Sequence, residues 1–408
     1  MHIWPSERIL MRLKTEQDQK KEPICAYLYD LEALKNHTTL TRTAMPDGCE
    51  LFYAVKANAE PAILHILASI LDGFEVASGG ELDWVTTHVP ETRIIFGGPG
   101  KLNSELKGAV QKRVETIHVE SFNELKRIEA LAQEHPVDIA LRINPELNTE
   151  IRTKLMMAGG PSPFGIDEEQ INTCLNYIRS STALHLTGFH LHALSHHLDM
   201  DAHTDLLCHY LKKFEIWRDI AGADARLLNV GGGIGINYIQ PDQQPDWSGM
   251  MARLGDMLQQ MPDAPRIRFE LGRYLTASCG FYAAEIIDLK QSHGKWFAIC
   301  RGGTNHFRTP SAQNHSHPVT VIPGPRRGER QLTNISCTFV GQLCTPKDVL
   351  ARNVSCPSIG IGDVALFPLA GAYGWTISHQ HFLRHAPPKM IFVAPEVTSR
   401  KEMSNVHA

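Results

Sequence analysis

Short apolar runs rich in β-branched residues recur through the first two thirds of the chain, and stretches with helical spacing of apolar residues separate them. Such continuous apolar runs are typical of strands buried on both faces of a parallel sheet. Eight strands are predicted, over Phe52–Val55, Gly73–Val76, Arg93–Gly97, Ile117–Val119, Asp138–Ile143, Thr187–His192, Leu227–Val230 and Arg266–Leu271. Eight strand-then-helix units over about 250 residues match the size and rhythm of a (β/α)8 barrel.

Polar residues mark the starts of several predicted helices. Ser78 with Glu81, and Ser121 with Glu124, have the spacing of a capping box, in which both side chains satisfy free backbone N–H groups. Asp30 gives a third start signal, because it follows a short apolar run and can cap a helix over the next few residues.

The rhythm changes after Gly280, where strand-like runs alternate with turns. These runs are Phe281–Leu289, Lys295–Ile299 and Cys337–Val340. Pro, Gly and Arg dominate Pro318–Gln331, which is therefore predicted to be a loop. The chain thus divides into an N-terminal segment, residues 1–32, whose strand Ile24–Tyr29 is expected to join the β domain, a barrel over residues 33–279, and a C-terminal β domain over residues 280–408.

Composition narrows the class of protein. The chain has 408 residues, 43% hydrophobic and 21% charged, with 40 Lys and Arg against 44 Asp and Glu, so no overall field favours nucleic acid or an anionic membrane. Nine scattered cysteines without a CxxC pair suit a reducing compartment. The N-terminus lacks the pattern of a secretory signal, and no run approaches the roughly 20 apolar residues of a membrane span. These features predict a cytoplasmic protein.

In such barrels the catalytic residues lie at the C-terminal ends of the strands. The candidates there are Lys56, Glu75, Arg142, His192, the Gly231–Gly235 loop and Glu270. Lys56 closes the run FYAVK, and two interpretations are open for it. It is either a solvated lysine with a flexible stem, or a desolvated amine with a lowered pKa that condenses with an aldehyde.

Two further motifs bear on that choice. The run NVGGGIG follows the seventh strand, where barrels often bind phosphate through backbone N–H groups. The run GFHLHALSHHLD carries four histidines, but no suitably spaced partner completes a metal-ligand set, so we expect no metal. Instead, His192 could cover an aromatic cofactor, with Ser195 on its phosphate. Glu270 is either half of a structural pair with Arg273 or a carboxylate beside a pyridine nitrogen.

With these residues in view, the chain resembles the fold-type III pyridoxal-phosphate decarboxylases, the group of ornithine, arginine and diaminopimelate decarboxylases related to alanine racemase. The resemblance covers nearly the whole chain, through the ordered motifs YLYD, AVKAN, GFEVASGGEL, HLHALS, GGG, ELGR, CTPKD and GAYG. It implies an alanine-racemase-like (β/α)8 barrel with a C-terminal β-barrel domain, the cofactor pyridoxal 5'-phosphate, and a homodimer with shared active sites.

The resemblance also implies roles for individual residues. Four residues are expected to be catalytic. Lys56 carries the cofactor, and His192 lies on the cofactor ring. Glu270 pairs with the pyridine nitrogen, and Cys344 donates a proton from the second subunit. The other cofactor-binding residues are expected to be Glu75, Ser195, Gly232, Gly233, Gly272, Arg273 and Tyr373. Without the resemblance, Cys344 is a small buried hydrophobe and Tyr373 is equally suited to packing.

Departures from the family pattern bear on the substrate. Diamine-forming members carry an acid directly after the motif cysteine, whereas this chain has Thr345, and the E-P-G-R motif has become ELGR. GGPSPFGID, RGGTNHF and GAYGWTISHQHFLRH resemble the subgroup that serves siderophore biosynthesis, whose members decarboxylate an amino acid joined to citrate. The substrate-binding residues are then expected to be Arg142, His196, His197, Arg301, His306, Thr345 and Asp348.

The sequence therefore predicts a decarboxylase of a citrate-conjugated amino acid such as citryl-diaminopropionate. Alternatives are a diaminopimelate decarboxylase of lysine biosynthesis, a racemase, a non-catalytic homologue that regulates a true decarboxylase, and a metal hydrolase on the histidine strand. A carboxylate at Glu270 favours decarboxylation over racemisation, since it keeps the pyridine nitrogen protonated.

Overall fold

The structure is a computed structural model, which describes residues 1–132, 135–147, 158–222, 224–324 and 331–394. Its strands are β1 Cys25–Asp30, β2 Cys49–Ala54, β3 Gly73–Val76, β4 Ile94–Phe96, β5 Thr116–Val119, β6 Val137–Asn144, β7 Ile166–Asp167, β8 Leu184–His190, β9 Leu227–Asn229, β10 Arg266–Leu271, β11 Gly280–Ser292, β12 Lys295–Cys300, β13 Thr320–Ile322, β14 Gln331–Val340, β15 Val349–Gly360, β16 Val364–Phe367 and β17 Lys389–Val393. Its helices are α1 Glu7–Gln19, α2 Leu31–Thr43, α3 Pro61–Ala68, α4 Gly79–His88, α5 Asn103–Gln111, α6 Phe122–Leu131, α7 Ile171–Ser180, α8 Met200–Ala221, α9 Trp247–Gln259, α10 Arg273–Thr276 and α11 Thr309–Ala312.

Eight parallel strands close into a barrel. They follow the order β5, β4, β3, β2, β10, β9, β8, β6, and a pairing between β5 and β6 completes the ring, while β7 extends β6 on one side. All eight predicted strands are present. Both predicted serine caps form, with Ser78 accepting from the Glu81 N–H and Ser121 from the Glu124 N–H, each at 3.1 Å. The two boxes are not complete, because Glu81 and Glu124 accept from the residue before each cap, at the N–H groups of Ala77 and Glu120. The barrel prediction is confirmed.

The second domain is a mixed eight-stranded sheet. Its main path is β13, β16, β11, β12, β14, β15, and β1 pairs with both β11 and β17. The N-terminal strand thus lies in the β sheet, although the exact domain boundaries stay a prediction. Among the described residues no pairing joins β13 to β15 to close this sheet into a barrel.

Some elements differ from the sequence-based expectation. The predicted loop Pro318–Gln331 contains β13, whose three residues pair with β16, and its residues 325–330 lie outside the described part of the chain. Helix α1 was not predicted; its buried Ile9 and Leu13 pack on a small apolar cluster with Phe281 and Val364 of the β domain. No helix in the described part of the chain has the length and apolar character needed to cross a membrane.

A buried ion-pair network ties together the end of the barrel where the strands begin. Arg268 on β10 is fully buried, and its guanidinium donates to Glu50 at 2.6 Å and to Glu115 at 2.5 Å. Burial would raise the pKa of both carboxyls, but Arg268 and Arg93 more than offset it and lower them. The network fixes β10 against its neighbours and so holds Glu270, two residues further along.

We expect Arg268→Ala to lower the free energy of unfolding by about 3–5 kcal/mol, because it leaves Glu50 and Glu115 without this buried partner. Denaturant unfolding monitored by circular dichroism measures the change. Arg266→Ala is the matched control, since Arg266 lies on the same strand, is 48% exposed and reaches Glu50 only at 3.7 Å. A loss for Arg268→Ala no larger than for the control would contradict this role.

Candidate active site

A cavity of about 380 Å³ opens where the barrel strands end. It is lined by glycines, apolar residues and most of the predicted site residues. The predicted residues found in its wall are Lys56, Glu75, Arg142, His192, Ser195, His196, Gly233, Glu270, Gly272, Arg273 and Tyr373. Three of the four residues expected to be catalytic are therefore brought together on one cavity.

Lys56 lies in the short 3-10 turn Val55–Ala57 that follows β2. Its side chain is 45% exposed because it faces the cavity, and its Nζ donates to Glu75 Oε2 at 2.8 Å. Register explains the pairing, since Ala54 at the end of β2 is opposite Glu75 on β3.

The prediction of a lowered pKa for Lys56 is wrong. Partial desolvation of the amine inside the cavity does lower its pKa, but the negative charge of Glu75, with Tyr373 and Glu270, outweighs this effect and raises the pKa. The amine is therefore protonated at neutral pH and must give up a proton before it reacts. Glu75 is placed by its hydrogen bond to take part in that transfer.

Glu270 occupies the next to last position of β10 and is buried. Its Oε1 accepts a hydrogen bond from Asn229 Nδ2 at 2.7 Å. Burial and the nearby Glu75 raise the pKa of Glu270 to about 7, although Lys56 and Asn229 oppose the change. This carboxyl exchanges a proton near neutral pH, which is the behaviour required of a group that shares a proton with a ring nitrogen.

Arg273 does not pair with Glu270, so the alternative of a structural Glu–Arg pair is wrong. Its guanidinium donates to the Tyr238 hydroxyl at 2.9 Å and lies over the Tyr373 ring at 4.5 Å from the centroid. Tyr373 has a positive φ of 52°, a conformation that costs energy for a bulky residue, and its N–H donates to Ala57 O at 2.9 Å. The hydrogen bond to Ala57 O holds the strained Tyr373 in place, and the contact of its ring with the guanidinium keeps Arg273 beside it on the cavity wall.

His192 rests on the glycine loop. Its Nδ1 accepts a hydrogen bond from the Gly232 N–H at 3.1 Å, and a Cβ at Gly231 would lie only 2.2 Å from that nitrogen. Burial, together with the charges of Arg142 and Lys56, lowers the pKa of His192 well below its usual value. The ring is therefore neutral with its proton on Nε2, and it presents an uncharged flat face in the cavity.

A pair of buried histidines, His118 and His190, lies behind Glu270, and only His190 belongs to a motif that predicted a site. His118 Nδ1 is 3.6 Å and His190 Nε2 is 3.8 Å from the Glu270 carboxylate. Burial lowers the pKa of both rings, so both are neutral. One ligand atom from each of the three residues lies within 4.8 Å of the others, a spacing that a metal ion could use. Asn229, which contacts both Glu270 and His118, was also missed as a site residue, although it begins the NVGGGIG motif.

The remaining predicted residues lie outside the cavity. Gly232 is directly behind its wall, and His197 is buried in a bridge to Ile234. In the β domain, Arg301 donates to Gln342 Oε1 at 2.9 Å, and His306 is buried with its Nδ1 3.3 Å from Cys25 Sγ. Cys344 is exposed, Thr345 lies beside it, and Asp348 is buried.

Arg142 is already paired. Its NH1 donates to Glu120 Oε1 at 2.6 Å, and its guanidinium lies over the Phe164 ring at 4.9 Å. Glu120 also accepts from the Gly165 N–H at 3.1 Å, so this pair holds the segment around Phe164 against the cavity. A substrate-binding role for Arg142 stays a prediction.

The cavity fits pyridoxal phosphate. Lys56 supplies an amine for the aldehyde, Glu270 a carboxyl whose pKa suits a ring nitrogen, and His192 a neutral flat surface. At the glycine loop, an added Cβ would lie 2.0 Å from Glu270 O at Gly232 and 2.3 Å from Leu194 O at Gly233. Backbone can approach a phosphate closely only where side chains are missing in this way.

Comparison with known proteins gives a consistent result. The family described as pyridoxal-dependent decarboxylase, pyridoxal binding domain, matches residues 31–277. The 2-[(L-alanin-3-ylcarbamoyl)methyl]-2-hydroxybutanedioate decarboxylase of Staphylococcus aureus is 39% identical, over 95% of this chain and 98% of its own. The L-glutamyl-[BtrI acyl-carrier protein] decarboxylase of Niallia circulans is 31% identical, over 89% of this chain and 87% of its own. Diaminopimelate decarboxylase from Helicobacter pylori, solved with L-lysine, aligns with a TM-score of 0.80 and 27% identity over 94% of each chain.

Proposed function

The chain belongs to the pyridoxal-dependent decarboxylases, and from that premise we propose that its substrate is an α-amino acid whose side chain is joined to citrate, such as citryl-diaminopropionate. It is an amino-acid decarboxylase that uses pyridoxal phosphate. The observation that carries the substrate proposal is the 39% identity to the Staphylococcus aureus enzyme over nearly the full length of both chains. The name of that enzyme's substrate describes diaminopropionate in amide linkage to citrate.

Bound pyridoxal phosphate supplies an aldehyde that takes up amines and a pyridine ring that accepts the electron pair left when CO2 departs. Lys56 would hold the aldehyde end until the substrate amine displaces it. Glu75, hydrogen-bonded to Lys56 Nζ, would accept the proton that this exchange releases. Ser195, Gly232, Gly233, Gly272, Arg273 and Tyr373 would hold the phosphate.

Glu270 and His192 would set the reactivity of the ring. With a pKa of about 7, Glu270 would hold a proton on the pyridine nitrogen, and Asn229 fixes the carboxylate in position by its 2.7 Å hydrogen bond. The neutral imidazole of His192 would lie on the ring face without adding a charge. The proton held by Glu270 favours loss of CO2 over a racemase reaction, because a protonated ring accepts more electron density.

Proton delivery to Cα is proposed for Cys344, acting from the second subunit of a homodimer. In this chain Cys344 is exposed in the β domain and does not line the chain's own cavity, so it is free to enter a partner's site. Mixing Lys56→Ala with Cys344→Ala subunits tests this. After subunit exchange, activity should return to about a quarter of wild type, because half of the dimers are mixed and each has one intact site. No recovery would argue against a shared site.

The experiment that tests the substrate measures CO2 release and product chirality. Protein loaded with pyridoxal phosphate is supplied with citryl-diaminopropionate, diaminopimelate, ornithine or alanine. We expect CO2 from the citryl conjugate, with kcat/KM at least about a hundredfold above that for diaminopimelate, since the conjugate's carboxylates add binding energy. Turnover of diaminopimelate with none of the conjugate would overturn the proposal. A colourless protein that releases no CO2 would support a regulatory homologue instead.

Tyr238 is expected to act on cofactor affinity through Arg273. Tyr238→Phe removes the acceptor of the Arg273 hydrogen bond, and it should weaken pyridoxal phosphate binding about tenfold, with kcat at saturating cofactor nearly unchanged. Fluorescence titration of the cofactor measures the affinity. Tyr177→Phe is the control, because its hydroxyl bonds Glu129 on the outside of the barrel. Equal affinities for the two variants would contradict the role of Tyr238.

A further inference from the structure

A second cavity, of about 700 Å³, lies in the β domain beside the loop that carries Cys344. Its polar lining includes Thr304, Arg308, Thr345, Lys347, His379 and His381, and no Asp or Glu is among the described residues that line it. Neither the Arg308 guanidinium nor the Lys347 ammonium forms an ion pair or hydrogen bond within the described ranges. Two fixed positive charges and two imidazoles therefore face one space without a carboxylate in its wall.

The wall is built by hydrogen bonds rather than by chance contacts. Asp348, buried behind it, accepts from the Thr304 N–H at 2.7 Å, from the Thr304 hydroxyl at 2.9 Å and from the Leu343 N–H at 2.8 Å. The carboxylate thus fixes two lining residues from two different loops. Three of its acceptor positions are used within the protein, so Asp348 shapes the cavity.

The same wall is tied to the loop that borders the catalytic cavity. The Arg308 N–H donates to Ser378 Oγ at 3.1 Å, and the Thr309 hydroxyl donates to Tyr373 O at 2.7 Å. Arg308 is therefore held on a segment whose position depends on the Tyr373 loop. Thr345 and Lys347 come from the loop of Cys344.

We infer that this second cavity binds the carboxylates of the substrate's distal arm. The inference rests on the proposed function, in which the Cys344 loop of one subunit enters the catalytic cavity of the partner subunit. Thr345 and Lys347 of that loop line the second cavity, so this cavity would then lie at the partner's catalytic cavity. A guanidinium, an ammonium and the Thr345 hydroxyl can donate to an arm that carries two carboxylates and a hydroxyl, whereas the Thr304 hydroxyl already donates to Asp348. The arm of a diamine-forming substrate would meet like charge here, so the cavity would select against free diamino acids.

Citrate is a suitable probe, because it carries the carboxylates without the reacting amino acid. Calorimetric titration of citrate into protein loaded with pyridoxal phosphate should show binding that weakens at least about tenfold in Arg308→Gln/Lys347→Gln. Thr345→Glu, which adds a negative charge and keeps both cations, should weaken it similarly. Lys35→Gln, on the exposed face of α2, is the control and should bind citrate like wild type.

The kinetic counterpart is a rise in KM for citryl-diaminopropionate of at least about tenfold in Arg308→Gln/Lys347→Gln, with kcat within about twofold of wild type. Unchanged citrate affinity and unchanged KM in the variants would overturn the inference and leave the proposed function intact. If wild type binds citrate at this cavity but does not decarboxylate the conjugate, the proposed function fails and the anion site stands.

Discussion

Lys56→Ala is expected to abolish the visible absorbance of bound pyridoxal phosphate and to lower kcat/KM by at least about three orders of magnitude, because it removes the amine that holds the cofactor. The absorbance spectrum of protein mixed with cofactor and then desalted measures the first effect, and CO2 release measures the second. The fold should be unaffected, since the side chain faces the cavity and is 45% exposed.

Lys35→Ala is the matched control for this experiment. Lys35 lies on the exposed face of α2, outside the catalytic cavity, so its removal should change neither spectrum nor rate. A desalted Lys56→Ala protein that kept the wild-type spectrum would show that the cofactor is held elsewhere.

Glu270→Gln is expected to lower kcat about 10²- to 10⁴-fold, because an amide cannot hold a proton on the pyridine nitrogen. It should leave the fold intact, since the amide oxygen can still accept the hydrogen bond of Asn229. Single-turnover CO2 release at saturating cofactor measures the loss. A kcat within a factor of about three of wild type would contradict the role assigned to Glu270.

Glu270→Gln is expected to stabilise the cofactor-free protein at neutral pH, although it lowers kcat. Because the pKa of Glu270 is raised from 4.5 to about 7, the folded protein keeps a proton that the unfolded chain has released between those pH values. The free energy of unfolding of the cofactor-free protein therefore falls as pH rises through this window. From pH 5 to pH 8, Glu270→Gln should gain about 1–3 kcal/mol relative to wild type.

Denaturant unfolding at the two pH values measures this gain. Glu22→Gln, in the exposed segment before β1, is the control, because it removes a carboxyl outside the cavity. A Glu270→Gln difference that changes with pH no more than the control's would show that the carboxyl is ionised throughout this range.

Patterns local in sequence predicted the barrel well. The eight apolar runs form strands whose residues are mostly buried, as expected for a parallel sheet covered on both faces. Helix α1 escaped detection because only Ile9, Leu13 and Gln17 are buried, and the apolar surface that covers them comes from the β domain.

Site residues that depend on contacts between distant segments were harder to predict. Tyr238 is 35 residues from Arg273, and His118 is 111 residues from Asn229, so no spacing in the sequence links them. The pKa of Lys56 was misjudged for the same reason. Burial can be read from its own strand, whereas the carboxylate of Glu75 is brought to it by the neighbouring strand.

The proposed choice of substrate depends on residues that the motifs did not single out. Thr345 was noticed because a family acid is missing there, but Arg308 and Lys347 became prominent only when the loops of the β domain were seen to enclose one cavity. Basic residues are common on surfaces, so their positions in the sequence alone carry little information about a shared site.

The most direct test of the central claim is to locate the cofactor on the chain. Protein loaded with pyridoxal phosphate is reduced with borohydride, which fixes the cofactor to the lysine that holds it, and is then digested and analysed by mass spectrometry. The added pyridoxyl phosphate mass is expected on Lys56, in the peptide containing FYAVKAN. Its appearance on another lysine, with Lys56 unmodified, would contradict the assignment of this cavity as the active site.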